Sequence, residues 1–157
     1  MRGLGLAALA ALSACGAGAN TPGGATEATR SEAGLEIVPL RIVSGGRTHR
    51  FQVEVARTAE QQTRGLMFRD RLAPDRGMMF PFDAPRPASF WMRNTPNSLD
   101  LVFVGADGRI ESIAADAVPL SEAPLQSVGV VAGVLEIAGG RAAELGLKAG
   151  DRVVWGG

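Results

Sequence analysis

The chain has 157 residues, a length typical of one domain, and its 46% hydrophobic and 20% charged residues are too apolar a mixture for a disordered protein. Its 16 basic residues balance 16 acidic ones, so the composition shows no signature of nucleic-acid binding and we expect no nucleic-acid partner. The lone cysteine and lone histidine exclude an intramolecular disulfide, a zinc site of paired cysteines and a two-histidine site, and we expect neither a metal nor a cofactor.

The N-terminus predicts an exported lipoprotein. Residues 3–12 form an apolar run, whereas a bilayer-spanning helix needs about 20 such residues. The run is therefore typical of an export signal. It ends in Leu12-Ser13-Ala14-Cys15, which resembles the lipobox of bacterial lipoproteins. We predict a signal peptide over residues 1–14 and an acylated Cys15 that anchors the chain to a membrane.

The residues after Cys15 bear on location and on the start of the fold. Gly16 stands where an Asp would favour the inner membrane of Gram-negative bacteria, so we expect a periplasm-facing lipoprotein of the outer membrane. Ordinary cleavage at Ala17-Gly18-Ala19, leaving a soluble periplasmic protein, is the alternative. Residues 15–34 contain no large apolar side chain and predict a flexible linker. A single globular domain then covers residues 35–157.

The pattern of residues 35–157 predicts a mainly β domain. Thr58-Ala59-Glu60-Gln61 fits a capping box that opens a short helix, and Gly65 offers its end. A second short helix is predicted over 141–145. Period-two alternation and turn residues predict eight strands, over 35–43, 49–55, 78–82, 88–92, 99–104, 110–113, 128–137 and 152–155. Seven or eight short strands with two short helices indicate an α+β, mainly β fold that is barrel-like, with the last strand closing the barrel.

Short motifs recur in order along this domain. They are Arg64-Gly65-Leu66-Met67-Phe68-Arg69, Gly77-Met78-Met79-Phe80, Phe90-Trp91-Met92-Arg93-Asn94-Thr95, Leu99-Asp100 with Phe103, Val134-Leu135-Glu136, and Gly146-Leu147 with Gly150-Asp151. Together they resemble the domain of unknown function 192 family, small and often exported proteins of bacteria and archaea, over nearly all of residues 50–155. The resemblance implies a compact, β-rich fold and a periplasmic or cell-surface setting. It implies no particular reaction.

Arginines are concentrated in the first half of the domain. Residues 57–93 hold seven arginines and four acidic residues, whereas residues 94–157 hold eight acidic and four basic ones. Guanidinium groups bind carboxylates and phosphates in bidentate geometry, so Arg64, Arg69 and Arg93 are candidates for an anion site. The alternative is that these arginines form structural ion pairs or are solvated.

The segment 90–95 carries the densest motif. If it is a strand, Trp91 and Arg93 share one face, and an aromatic plane then lies next to a cation and an amide. With Asn94 and Thr95, this combination suits a small polar ligand such as a sugar or a peptide fragment. Asn94-Thr95-Pro96 is equally well explained as a turn that ends the strand.

Two carboxylates lie within apolar strands, Asp100 between leucines and Glu136 between Leu135 and Ile137. An unpaired buried charge is costly, so each either pairs with an arginine or lines a cavity. Two carboxylates in one cavity could perform acid–base hydrolysis, as in glycosidases. The four methionines at 67, 78, 79 and 92 are read as core residues rather than as Cu(I) ligands.

These observations lead to one main hypothesis and two alternatives. The main hypothesis is a tethered domain that binds a small polar or anionic ligand or an envelope component. Its candidate binding residues are Arg64, Arg69, Trp91, Arg93, Asn94, Thr95, Asp100 and Glu136, and no catalytic residue is assigned. The alternatives are an envelope hydrolase that uses Asp100 and Glu136, and a protein–protein interaction module with an exposed apolar patch.

Overall fold

The computed structural model describes residues 29–156, so the predicted signal peptide, Cys15 and most of the predicted linker lie outside the described residues. The described part contains eight strands and two short helices. In chain order they are β1 (Thr29–Arg30), β2 (Glu36–Ser44), β3 (Arg47–Val55), α1 (Ala59–Arg64), β4 (Arg76–Phe90), β5 (Leu99–Val104), β6 (Ile110–Ala117), β7 (Leu125–Ala138), α2 (Arg141–Leu145) and β8 (Arg152–Trp155). Neither described helix is long and apolar enough to cross a membrane.

The strands form one curled sheet, and the predicted α+β, mainly β fold is confirmed. The order is β1-β2-β3-β4-β7-β5-β6, with β8 paired to β2. All pairs are antiparallel except β3 with β4. The start of β6 meets β8: the Ile110 amide donates to the Asp151 carbonyl at 2.8 Å and the Val153 amide donates to the Gly108 carbonyl at 2.8 Å. These bonds join the two ends of the sheet into a barrel-like body.

The central strands are buried on both faces of the sheet. Every residue of β5 is buried, because its alternate side chains enter two different cores. One face contributes to the first core, whose members include Leu40, Ile42, Phe51, Val53, Val102, Leu135 and Ile137. The opposite face of β4, β5 and β7 contributes to the second core, whose members include Leu66, Met78, Phe80, Met92, Leu101, Phe103 and Val134. The second core packs beneath α1 and the loops that follow it.

Helix α1 begins as the sequence predicts. The Thr58 hydroxyl accepts from the Gln61 amide at 3.2 Å, while the Gln61 side chain accepts from the Thr58 amide at 3.0 Å. These two bonds form the capping box. Gly65 ends the helix with φ +47°, and its Cβ-free backbone lies against the Phe80 ring, where an added Cβ would come within 3.3 Å. The helix is thereby seated on the second core.

The structure differs from the predicted elements in the region of the prolines. The strands expected over 78–82 and 88–92 are one long strand, β4. Its register against β7 shifts between Pro81 and Arg86, so the intervening residues bulge out. β4 pairs with β3 only as far as Met79, and beyond that residue the edge of β4 that faced β3 is free. The prolines follow Met79, so they remove no hydrogen bond from the β3–β4 ladder. Prolines at such an edge do not end a strand.

The N-terminal boundary of the fold also differs from the expected one. Thr29 and Arg30 pair with β2 as strand β1, and the Gly34 amide donates to the Ser31 carbonyl at 2.8 Å in the turn that follows. Residues 29–34, assigned to the linker from composition, are therefore part of the folded domain.

Candidate functional site

A pocket of about 510 Å³ lies between α1, β4 and the loops that flank them, on the side of the second core; we call it the site pocket. Its lining combines aromatic rings with polar and charged side chains. They include Arg64, Leu66, Met67, Phe80, Phe82, Arg86, Phe90, Trp91, Thr95, Glu122 and Glu136.

Glu136 is a buried acid of the site pocket. It lies on β7, between Met78 of β4 and Leu101 of β5 in the two neighbouring ladders, and is 5% exposed. No side-chain hydrogen bond holds its carboxyl within the described residues, and burial raises its pKa to about 8. Gly77 permits this packing, because a Cβ there would lie 2.6 Å from the Glu136 carbonyl oxygen. At neutral pH the carboxyl is protonated and can donate a hydrogen bond.

Aromatic rings form the walls of the site pocket. The Phe80 and Phe90 rings meet edge to face, with centroids 5.2 Å apart and planes at 86°. The guanidinium of Arg86 lies 3.8 Å from the Phe82 ring centroid. Phe82 falls in the bulge of β4, which explains why a residue of this strand reaches over the pocket.

Trp91 and Arg93 stand at the mouth of the pocket. The strand ends at Phe90, so the expectation that both residues face one side of a strand is wrong. They still meet: the Arg93 guanidinium lies 5.5 Å from the Trp91 ring centroid and its Nε lies 3.7 Å from a carboxylate oxygen of Glu122. Trp91 is 46% exposed and lines the pocket, whereas Arg93 does not.

The loops around the mouth are tied to one another by backbone hydrogen bonds. The Phe68 amide donates to the Asn94 carbonyl at 2.8 Å, and the Leu120 amide donates to the Thr95 carbonyl at 3.0 Å. Phe68, Asn94 and Leu120 all have φ between +54° and +63°. Asn adopts this left-handed conformation readily, whereas it is uncommon for Phe and Leu. Strained residues such as these two cluster at binding and catalytic sites.

The predicted candidate residues fall into separate places. Arg64, Trp91, Thr95 and Glu136 line the site pocket together. Asn94 lies beside them without lining it, and its side-chain amide is 3.9 Å from the Met67 sulfur. Of the methionines, Met78, Met79 and Met92 are core residues and Met67 lines the pocket.

Arg69 forms an ion pair away from the site pocket. Its Nη1 and Nη2 donate to the two carboxylate oxygens of Glu54 at 2.5 and 2.8 Å. Burial alone would raise the pKa of Glu54, but the hydrogen bonds and charge of Arg69 outweigh it and lower that pKa. The same bonds raise the pKa of Arg69. Arg69 thus holds the loop after α1 against β3.

Asp100 is a structural residue on the other face of the sheet. It pairs with Ile137 in the β5–β7 ladder, whereas Glu136 pairs with Leu101, so the two carboxyl side chains point to opposite faces. The Asp100 carboxylate accepts from the amides of Asp116, Gly140 and Ala142 at 2.8, 3.0 and 2.7 Å. Asp100 and Glu136 therefore do not share a cavity.

Sequence reasoning missed Phe82, Arg86 and Glu122 as pocket residues. Phe82 and Arg86 were hidden by the prolines among which they lie, and only the bulge of β4 brings them to the pocket. Glu122 lies in the loop between β6 and β7, where the sequence has no periodic pattern from which its position could be predicted. Phe80 and Phe90 belong to two separate sequence motifs, and their separation in the sequence does not indicate that their rings are in contact.

The site pocket brings hydrogen-bonding, charged and aromatic groups together. It offers a neutral carboxylic acid, guanidinium groups and aromatic walls, and within residues 29–156 no cluster of three or more His, Cys, Asp or Glu side chains is arranged to hold a metal ion. The fold and pocket define a class: a small, barrel-like β domain with one acid buried under an aromatic pocket.

Comparison with known proteins places the chain in a family. Residues 40–155, more than half of the chain, match the family model DUF192, described as "Uncharacterized ACR". The chain belongs to the DUF192 family, as its motifs predict. No curated protein matches the chain.

Two solved structures have the same fold. A crystal structure of a protein of unknown function from Novosphingobium aromaticivorans is similar with a TM-score of 0.80 and 46% identity, over 88% of this chain and 100% of that one. A protein from Sinorhizobium meliloti, described as a "putative transcription regulator", is similar with a TM-score of 0.75 and 42% identity, over 77% of this chain and 95% of that one.

Proposed function

We propose that this protein is an exported lipoprotein whose domain binds a small ligand in the site pocket. The observation that carries the binding proposal is Glu136, a buried carboxyl that faces the pocket without a hydrogen-bond partner among the described residues. Because Glu136 lines the pocket, a ligand there can hydrogen-bond to its carboxyl, and the aromatic walls add apolar contact.

The lining residues have distinct roles in this proposal. Glu136 donates a hydrogen bond from its protonated carboxyl and accepts one at its other oxygen. Phe80 and Phe90 hold the apolar part of the ligand, while Trp91 covers it at the mouth. Thr95 is 5% exposed and adds a hydroxyl to the lining.

Membrane anchoring rests on the sequence of the leader. The apolar run over 3–12 and Leu12-Ser13-Ala14-Cys15 support export and acylation at Cys15, and two or more acyl chains hold a protein stably where one does not. The protein then belongs to the membrane fraction and is labelled by radioactive palmitate, and Cys15→Ser abolishes both. A Cys15→Ser protein that keeps label and membrane association contradicts the lipoprotein proposal.

The hydrolase alternative receives no support from the geometry. It needs two carboxyl groups on either side of a substrate, and those of Asp100 and Glu136 point to opposite faces of the sheet. The regulator description of the S. meliloti protein is not carried over either, because this chain has equal numbers of acidic and basic residues.

Ligand binding is tested by a thermal-shift screen of sugars, peptidoglycan fragments, small carboxylates and phosphates. A ligand present at about 100 times its Kd stabilises the protein by about 2.7 kcal/mol. Glu136→Leu fills the buried space with an apolar group and abolishes binding of the hit, whereas Glu144→Gln, on α2 and exposed, leaves it unchanged. A screen without a stabilising compound, or a hit that binds Glu136→Leu as well as the wild type, overturns the proposal.

A further inference from the structure

The cations of the site pocket are left without acidic partners. Arg64 of α1 and Arg86 of β4 line the pocket, and neither forms a salt bridge within the described residues. The exposed acid of the lining, Glu122, is paired with Arg93. Glu136 is protonated at neutral pH because burial raises its pKa to about 8. The unbalanced charge of the pocket is therefore positive.

One of these cations lies over an aromatic ring of the pocket. The Cζ atom of Arg86 is 3.8 Å from the Phe82 ring centroid, which is a cation–π contact. The N–H groups of a guanidinium lie in its plane, and they can bind a carboxylate or phosphate in bidentate geometry.

Aromatic and aliphatic side chains form the apolar part of the pocket. Phe80 and Phe90 make an edge-to-face pair, and Leu66 and Met67 add aliphatic surface from the loop after α1. Flat rings stack against aromatic side chains over offset or edge-to-face geometries. The lining thus joins apolar walls to two guanidinium groups that are unpaired among the described residues.

We propose that the site pocket selects an organic anion, with its apolar ring against Phe80, Phe90 and Trp91 and its anionic group bound by Arg64 and Arg86. This inference rests on the proposed function and names its ligand class. The anionic group is a carboxylate or a phosphate, which share the bidentate geometry that a guanidinium recognises.

The charged groups that line the pocket together with Glu136 are Arg64 from α1, Arg86 from β4 and Glu122 from the loop before β7. When Glu136 ionises, as the pH rises through about 8, it adds a negative charge to the pocket that holds the anion. Binding of the anion therefore weakens above that pH, and Glu136→Gln removes this dependence.

The experiment uses the fluorescence of Trp91 in the Trp155→Phe protein, since these are the two tryptophans of the chain and there is no tyrosine. The probes are two matched pairs: benzoate with benzamide, and 3-phenylpropionate with its amide. We expect each anion to bind at least about tenfold more tightly than its amide. Arg86→Gln removes that preference, and the exposed Arg47→Gln on β3 preserves it. Phenyl phosphate beside benzoate then distinguishes the two anionic groups.

The failures of the two proposals are distinguishable. An amide that binds as tightly as its anion, or a preference that survives in the Arg64→Gln, Arg86→Gln double variant, overturns the inference. A neutral sugar that binds in a Glu136-dependent manner, with no anion binding, overturns the inference and supports the proposed function. No binding by any probe or screened compound counts against both.

Discussion

Glu136 makes the stability of the protein depend on pH. Its pKa is raised from the ordinary 4.5 to about 8, so between these values the folded state keeps a proton that the unfolded state has lost. Stability due to this group is fully present below pH 4.5 and is lost as the pH rises through about 8. The free energy of unfolding is expected to fall by up to about 1.4 kcal/mol per pH unit in this window.

Urea unfolding of the wild type and Glu136→Gln across the same pH range checks this prediction. The amide cannot ionise, so the wild type loses stability relative to the variant as the pH rises and then levels off above about 8. A difference between the two proteins that stays constant from pH 4.5 to 8 contradicts it.

Leu120 stores backbone strain at the mouth of the site pocket. It has φ +63° and its side chain is 62% exposed, so it is held left-handed without burying its side chain. That conformation costs an L-residue about 1–2 kcal/mol, and glycine avoids most of the cost. We expect Leu120→Gly to be stabilising or neutral, by up to about 1 kcal/mol in urea unfolding. Val118→Gly is the matched control, because Val118 is equally exposed without a positive φ, and it should destabilise.

At the scale of elements, Asp100 joins three parts of the fold. From β5 it accepts hydrogen bonds from Asp116 in β6 and from Gly140 and Ala142 at the start of α2. The N-cap residue Gly140 has no side chain for this role, so a carboxylate from another strand caps the helix. Asp100 is 0% exposed, and water cannot replace these bonds.

Asp100→Ala is therefore expected to destabilise the protein by about 3 kcal/mol, because three backbone amides lose their acceptor. Urea unfolding measures the loss, with the exposed Asp75→Ala as control. Ligand binding by the fraction that remains folded should be unchanged, because Asp100 does not line the site pocket. A stable Asp100→Ala protein that has lost ligand binding would show that Asp100 takes part in the binding site.

Elements set by local signals were predictable from the sequence, and elements set by tertiary pairing were not. The capping box at Thr58 and the apolar run of β5 before the turn at 105–108 are local signals, and α1 and β5 lie where they were predicted. Whether the prolines of β4 interrupt the strand depends on whether a neighbouring strand needs their amide groups. No local pattern shows where β3 stops pairing with β4. Thr29 and Arg30, which fall in the predicted linker, join the sheet because β2 offers an edge there.

The same distinction applies to the site. Trp91 and Thr95 were found because they are close in sequence, and both line the pocket. Arg86 directly follows a bulge whose position depends on the β4–β7 register. That Glu136 lines the pocket while Asp100 does not follows from the β5–β7 register, which places neighbouring positions on opposite faces. Composition and spacing carry no information on that register.

At the scale of the whole molecule, the central strands couple the two cores. Val102 and Phe103 are consecutive residues of β5, yet the first lies in the first core and the second in the second core. The second core cannot be lost without uncovering one face of β4, β5 and β7. The backbone hydrogen bonds of Ile110 and Val153, between the start of β6 and β8, also join the two ends of the sheet. This arrangement predicts a single cooperative unfolding unit.

The two tryptophans report on the two halves of that unit. Trp91 lies at the mouth of the site pocket, and Trp155 packs against the first core from β8, next to Arg57. In urea, the fluorescence midpoint of Trp155→Phe, which retains Trp91, should coincide with its far-UV circular dichroism midpoint, and the same should hold for Trp91→Phe. A Trp91 signal that changes at lower urea than the circular dichroism would show that the pocket side unfolds separately. In that case the strands shared by the two cores would not couple them, and the binding site would be a local unit of lower stability.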